Sequence, residues 1–164
     1  MTVGDPLTEL EREYAPDREM PLAGYATVIA VDVGATIAGL VLASRRRRLP
    51  TGIAVGDLAL GAVATYKLSR LITKSSVASP LRAPVTRFEE VSGPGELNEN
   101  VRGSGLRKAV GELLTCPFCM AHWIATGYAF GLVFQPRATR LVASVLGVES
   151  GAELLHHAHA RLNA

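Results

Sequence analysis

At 164 residues, with 48 % apolar residues, 20 % charged residues and a formal net charge of +2, the chain has material for one slightly hydrophobic domain. So small a positive excess, with Lys and Arg scattered among acids, excludes a nucleic-acid partner. Two cysteines, Cys116 and Cys119, are too few to frame a disulfide-stapled secreted scaffold; they leave structural thiols, a redox pair or half of a metal site.

Residues 1–22 are polar and acid-rich, with three prolines, and read as a flexible polar tail in which Thr8–Tyr14 has the composition for a helical turn. The segment has neither the basic start nor the cleavage site of a signal peptide, so the apolar run after it is expected to be retained. That run, Tyr25–Ala43, carries one charge, Asp32, and ends at Ser44 and four arginines, Arg45–Arg48. Its length suits a hydrocarbon core of about 30 Å at about 1.5 Å per helical residue, so it is expected to span a membrane. The arginines place its C-terminal end in the cytoplasm. Gly34, Ala35, Ala38 and Gly39 give it a small-residue face for another helix.

A second apolar stretch, 53–72, reaches spanning length only if Lys67 and Arg70 snorkel at one end. Asp32 and Asp57 then lie at membrane depth, where a lone carboxylate costs at least ~2.5 kcal/mol; polar ties between helices account for them better than a proton relay. Residues 73–108 hold Pro80, Pro84, Pro94 and several glycines with little periodicity, and read as a long polar loop.

The motif Cys116-Pro117-Phe118-Cys119 opens a third apolar run that reaches Phe134. Cys116 falls at a helix N-cap position and Pro117 suits the first helical position, so a span over 117–134 is expected. Free N–H groups at such a start favour a thiolate at Cys116, with Cys119 one turn on as a resolving thiol. Trp123, Gly127 and Gly131 share a face at four-residue intervals. Gln135-Pro136 stops the helix; Arg140–Val148 is too short to span, and 149–164, with His156, His157 and His159, reads as a polar helix or polar C-terminal tail.

Three segments carry a resemblance: Asp57–Ile72, Ser79-Pro-Leu-Arg-Ala-Pro84, and Gly111–Cys119 with Trp123. Together they resemble an uncharacterised family of small bacterial integral membrane proteins, catalogued as a domain of unknown function, with members in spore-formers and actinobacteria. The likeness covers about Asp57–Arg140. It implies a multi-pass protein of the bacterial cell membrane and puts functional weight on Arg70, Arg82, Cys116, Cys119 and Trp123. It brings no reaction. Where that family often has an acid after Arg-Leu-Ile, this chain has Lys74-Ser75-Ser76.

The cysteines keep three readings. A structural role packs two small polarisable side chains at a tight helix start. A redox role makes Cys116 and Cys119 a catalytic dithiol at the membrane boundary, although the strand that precedes such motifs in soluble dithiol folds is missing. A zinc role adds His122 to Cys116 and Cys119. The expectation is an all-α membrane protein with two or three transmembrane helices over 23–148 and a long polar loop. It would be a non-enzymatic component that associates through small-residue helix faces with itself or a membrane partner, with no cofactor.

Overall fold

The computed structural model describes residues 6–163. In chain order it contains α1 (Pro6–Tyr14), α2 (Leu22–Arg45), α3 (Val55–Lys74), α4 (Ser79–Arg82), β1 (Thr86–Gly93), β2 (Glu96–Val101), α5 (Gly105–Thr115), α6 (Pro117–Phe134) and α7 (Pro136–Leu162). These elements form two compact units: Met1–Ala35 with Thr73–Cys116, and Thr36–Ile72 with Pro117–Ala164.

In the first unit the structure corrects the all-α expectation. Residues 73–108 are not one long loop, because β1 and β2 pair antiparallel from Thr86↔Val101 to Gly93↔Glu96. The turn is Pro94-Gly95: proline presets its own φ, and Gly95 takes φ +74°, a left-handed conformation that favours glycine. Ser76 N–H donates to the Gly95 carbonyl at 2.8 Å, tying the hairpin tip to the chain leaving α3. Apolar alternation is nearly absent because only Thr86 of β1 is buried; the turn and the backbone ladder set the register in place of a buried face. Helix α5 lies against the hairpin at Gly111, where a Cβ would come 2.5 Å from Val101 Cγ1.

The stretch expected as a flexible tail contains α1 and is tied to its surroundings. Glu11 Oε1 accepts from the Ala23 N–H at 3.1 Å, placing a carboxylate at the positive start of α2. Lys108 Nζ donates to the Glu19 carbonyl, and Tyr25 donates its hydroxyl to Glu112. Gly24 packs against α5 so closely that a Cβ would sit 2.8 Å from the Gly105 carbonyl oxygen.

The second unit is helical. Here α6 runs from Pro117 to Phe134, the helix bounds read from the sequence, and one residue, Gln135, separates it from α7. Pro136 begins α7 with the φ a helix needs and no N–H to leave unpaired. Residues 149–162 continue α7, so of the two forms expected there, polar helix or tail, the stretch takes helix, and α7 is about 40 Å long. Gly39 of α2 meets the Phe130 ring, and Arg48 Nη1 donates to the Phe134 carbonyl at 3.1 Å; these two contacts run α2 and α6 in the same direction. Gly61 meets the Tyr128 ring and Tyr128 Oη donates to the Asp57 carbonyl at 2.7 Å; Leu68 shares a cavity wall with Ile124 and Asp57 shares one with Leu132 and Val133, so α3 runs the opposite way.

The buried apolar residues are small apart from one: Ala43, Ala64, Ala109, Met120 and Ala143. Large apolar side chains point outward instead, among them Ile29 (61 % exposed), Ile37, Leu40, Leu141 and Val145. Two described helices, α2 and α6, are long and apolar enough to cross a membrane, and only 6 % of each apolar window is buried. Helix α3 has the length, about 30 Å, but carries Asp57, Lys67, Arg70 and Lys74.

Candidate functional site

Three constellations hold the residues singled out from sequence. At the cysteines, Cys116 is the single non-helical residue between α5 and α6, with φ −100° and ψ 107°, and Pro117 follows as the first residue of α6. Cys116 is half-buried and Cys119 exposed; both are thiols. His122 is also exposed, and Trp123 is half-buried. Among the described residues no three His, Cys, Asp or Glu side chains gather as a metal ion requires.

The second constellation surrounds Arg82, whose side chain is fully buried. Pro80 starts the short α4, and its last residue, Arg82, is turned toward β2. Glu99, 5 % exposed at its side chain, receives the guanidinium bidentately: Nε donates to Oε2 at 2.8 Å and Nη2 to Oε1 at 2.9 Å. Nη2 also reaches the Ser75 carbonyl at 3.0 Å. Thr86 Oγ1 lies 2.9 Å from both Glu99 Oε2 and the Arg82 carbonyl. The Arg82 hydrogen bonds, and then Thr86, hold the Glu99 carboxyl below the usual carboxylate range against the opposing effect of burial. A planar fork on a carboxylate with its remaining lone pair answered is the arrangement in which a buried ion pair is tolerated. The anion that answers Arg82 is Glu99, while Glu112 takes the Tyr25 hydroxyl.

The third constellation includes Asp57, expected from sequence as a polar tie between helices; its partners were not read from sequence. Lys67, 5 % exposed, meets Glu149 at 3.1 Å and also Glu153. Two to three turns earlier on the same two helices, Arg140 grips Asp57 with Nε at 2.8 Å and Nη2 at 2.7 Å. So α3 presents acid then base, and α7 base then acids, in the same chain direction. An antiparallel pairing would set Lys67 opposite Arg140 and Asp57 opposite the glutamates, so the charges select the parallel arrangement. Signal for this existed in the matched spacing of Asp57 to Lys67 and Arg140 to Glu149, but it means nothing until α7 is known to be continuous. Arg70 stays on α3, its guanidinium carbon 6.0 Å from the Tyr66 ring centroid. Between the charge pairs, Ala64 and Leu68 of α3, Ile124 and Gly127 of α6, and Val142 and Leu146 of α7 line an apolar cavity of about 390 Å³.

In the second and third constellations the charged groups answer one another, Arg82 with Glu99, Arg140 with Asp57, and Lys67 with Glu149 and Glu153. The chain is 26 % identical over 101 residues to the sporulation protein YjcA of Bacillus subtilis (strain 168), an alignment covering 60 % of this chain and 86 % of that protein. No solved structure matches it. The profile of a family described as "Protein of unknown function (DUF1360)" matches residues 60–159, taking in Lys67 with its glutamates, Arg82 with Glu99, and both cysteines. With well over half of its length matched, this chain belongs to the DUF1360 family of proteins of unknown function.

Proposed function

We propose that this protein is a multi-pass membrane component without catalytic activity, inserted through α2 and α6. The observation that carries the reading is the 6 % burial of both apolar windows. A core helix of a soluble protein would hide such a surface, and water would be a poor solvent for Ile29, Val33, Ile37 and Leu40 side by side. At about 36 Å and 27 Å, α2 and α6 suit a hydrocarbon core of about 30 Å with modest tilt.

Because α2 and α6 run parallel, a chain that crosses in both must return between them, and α3 is the segment of the right length and direction. Two of its charges are answered within the bundle, Asp57 by Arg140, and Lys67 by Glu149 and Glu153. Gly39 is covered by Phe130, but Gly34 has nothing within 4 Å of a Cβ position and Ala35 and Ala38 are exposed. That stretch of α2 is the face on which a second copy or a membrane partner would pack. The deciding experiment is extraction of cell membranes with alkaline carbonate. We expect the protein to stay with the bilayer; release into the supernatant would overturn the reading.

A second reading makes Cys116 and Cys119 a thiol–disulfide oxidoreductase pair. It is favoured by the exposure of Cys119 in the first turn of α6 and by Pro117 at its first position. A reduction potential well below that of catalytic dithiols would remove it.

A further inference from the structure

At the end of the helical unit where Arg45–Arg48 close α2, a second cavity of about 270 Å³ has two kinds of wall. Arg48, Asp57 and Arg140 make it polar; Ile53, Leu132 and Val133 make it apolar. Two guanidiniums face one carboxylate, so the lining carries a net positive charge. Arg140 is half exposed and spends Nε and Nη2 on Asp57, leaving Nη1; Arg48 spends Nη1 on the Phe134 carbonyl, leaving the rest of its donors. The same wall includes Ala54 just ahead of α3, whose first N–H groups have no acceptor within the helix.

We infer that this cavity takes the phosphodiester of an anionic phospholipid. Arg48 and Arg140 contact the phosphate oxygens, and the glycerol and upper acyl carbons lie along Ile53, Leu132 and Val133. The inference rests on the membrane reading above, which puts this arginine-bearing helix end at the head-group level of the cytoplasmic leaflet. Guanidinium forks suit phosphate oxygens, and the apolar wall beside them distinguishes a lipid from a bare ion. Asp57 competes with the phosphate for Arg140, so it sets the affinity without touching the lipid.

The test uses the full chain in neutral detergent, with phosphatidylglycerol and phosphatidylcholine as probes and bound lipid read by native mass spectrometry. Phosphatidylglycerol is expected to be retained over phosphatidylcholine. Arg48→Gln should weaken its binding roughly fivefold, the worth of one basic side chain at an anionic surface. Asp57→Asn should tighten it by a similar factor by releasing Arg140, an outcome that a purely structural Asp57–Arg140 pair would not produce. Equal retention of the two lipids, or binding insensitive to both substitutions, overturns the inference. Glycerol phosphate is the third probe. Displacement of phosphatidylglycerol by glycerol phosphate at equal concentration overturns the lipid assignment in favour of a soluble phosphate ester. A protein that alkaline carbonate releases, yet that binds glycerol phosphate with the same dependence on Arg48 and Asp57, loses the membrane reading and the lipid while keeping the anion site.

Discussion

Tyr128 is fixed to α3 at two points four residues apart: its ring packs on Gly61, and its hydroxyl donates to the Asp57 carbonyl at 2.7 Å. A ring held by its far end cannot swing aside for a new methyl group. Gly61→Ala should therefore destabilise the helical unit by about 1–3 kcal/mol, the usual range for overpacking. Adding Tyr128→Phe releases the anchor, so the double variant should lose less than the two single losses added together. Thermal unfolding in detergent measures all three, and strict additivity would show that the hydroxyl does not fix the ring.

Two glycines of α2 should respond oppositely to the same change. At Gly24 a Cβ would stand 2.8 Å from the Gly105 carbonyl oxygen, a backbone atom that cannot turn away, so Gly24→Ala should cost about 1–3 kcal/mol. At Gly34 nothing lies within 4 Å, and alanine is the better helix former by about 1 kcal/mol, so Gly34→Ala should be neutral or stabilising. Equal effects would mean that α2 does not approach α5 at Gly24 as described. If Gly34→Ala instead disrupts self-association in a cross-linking assay, the small-residue face is in use.

Arg82 and Glu99 are each costly to leave alone. Arg82→Ala strands a buried carboxylate, and a loss of about 3–5 kcal/mol is expected; Arg82→Met with Glu99→Leu should recover most of it. Glu99 has a lower pKa folded than unfolded, so its contribution is complete above the ordinary carboxylate value of about 4.3 and is lost as pH falls through the depressed folded value. The stability gap between the parent and Glu99→Gln should therefore narrow on acidification below that value. A gap that stays constant down to acid unfolding would contradict the depression.

How much of this could be read in advance depended on whether the signal was local. The bounds of α6 were legible because Pro117 and Gln135-Pro136 are local punctuation, and α2 because its apolar run carries a single charge, Asp32. The hairpin was not, because the acids of β1 and β2 occupy both faces and the alternation that marks a half-buried strand never forms. Pro94-Gly95 was legible as a turn, yet nothing local says that the flanking runs pair. Glu99 could not be chosen as the partner of Arg82 among Glu89, Glu90, Glu96 and Glu99 until the ladder set Thr86 opposite Val101. Continuity of α7 through Gly147, Glu149 and Gly151 was hidden for a related reason. Tertiary contacts, Lys67 with Glu149 and Glu153, support a stretch whose own pattern leaves polar helix and polar tail open.

The register of α3 against α7 should follow the signs of their charges. Lys67→Glu sets a third carboxylate beside Glu149 and Glu153 and should lower the thermal midpoint; Glu149→Lys in the same chain should restore part of it. The glutamates are about half exposed, so the coupling energy is expected near 1 kcal/mol. A cycle with no coupling would leave packing, and not charge, as what selects the parallel pair.

Under the proposed insertion, the side of the membrane taken by the hairpin follows from helix directions. Arg45–Arg48 would hold the C-terminal end of α2 in the cytoplasm, and Arg48 bonded to the Phe134 carbonyl would put the end of α6 on the same side. Both helices would then enter from outside, and α3, running against α6, would carry the chain back out by Lys74. Lys74, Arg82, Arg87, Arg102, Arg107 and Lys108 lie in the outward segment, nearly balancing the cytoplasmic positives, so charge counting alone hardly decides the matter. With α2 and α6 parallel, the direction of α3 decides it. Ser92→Cys, exposed in β1 and placed in a chain with Cys116 and Cys119 replaced by serine, should react with a membrane-impermeant maleimide in intact cells. Labelling that appears only after the membrane is opened would put the hairpin in the cytoplasm and remove α3 from the bilayer.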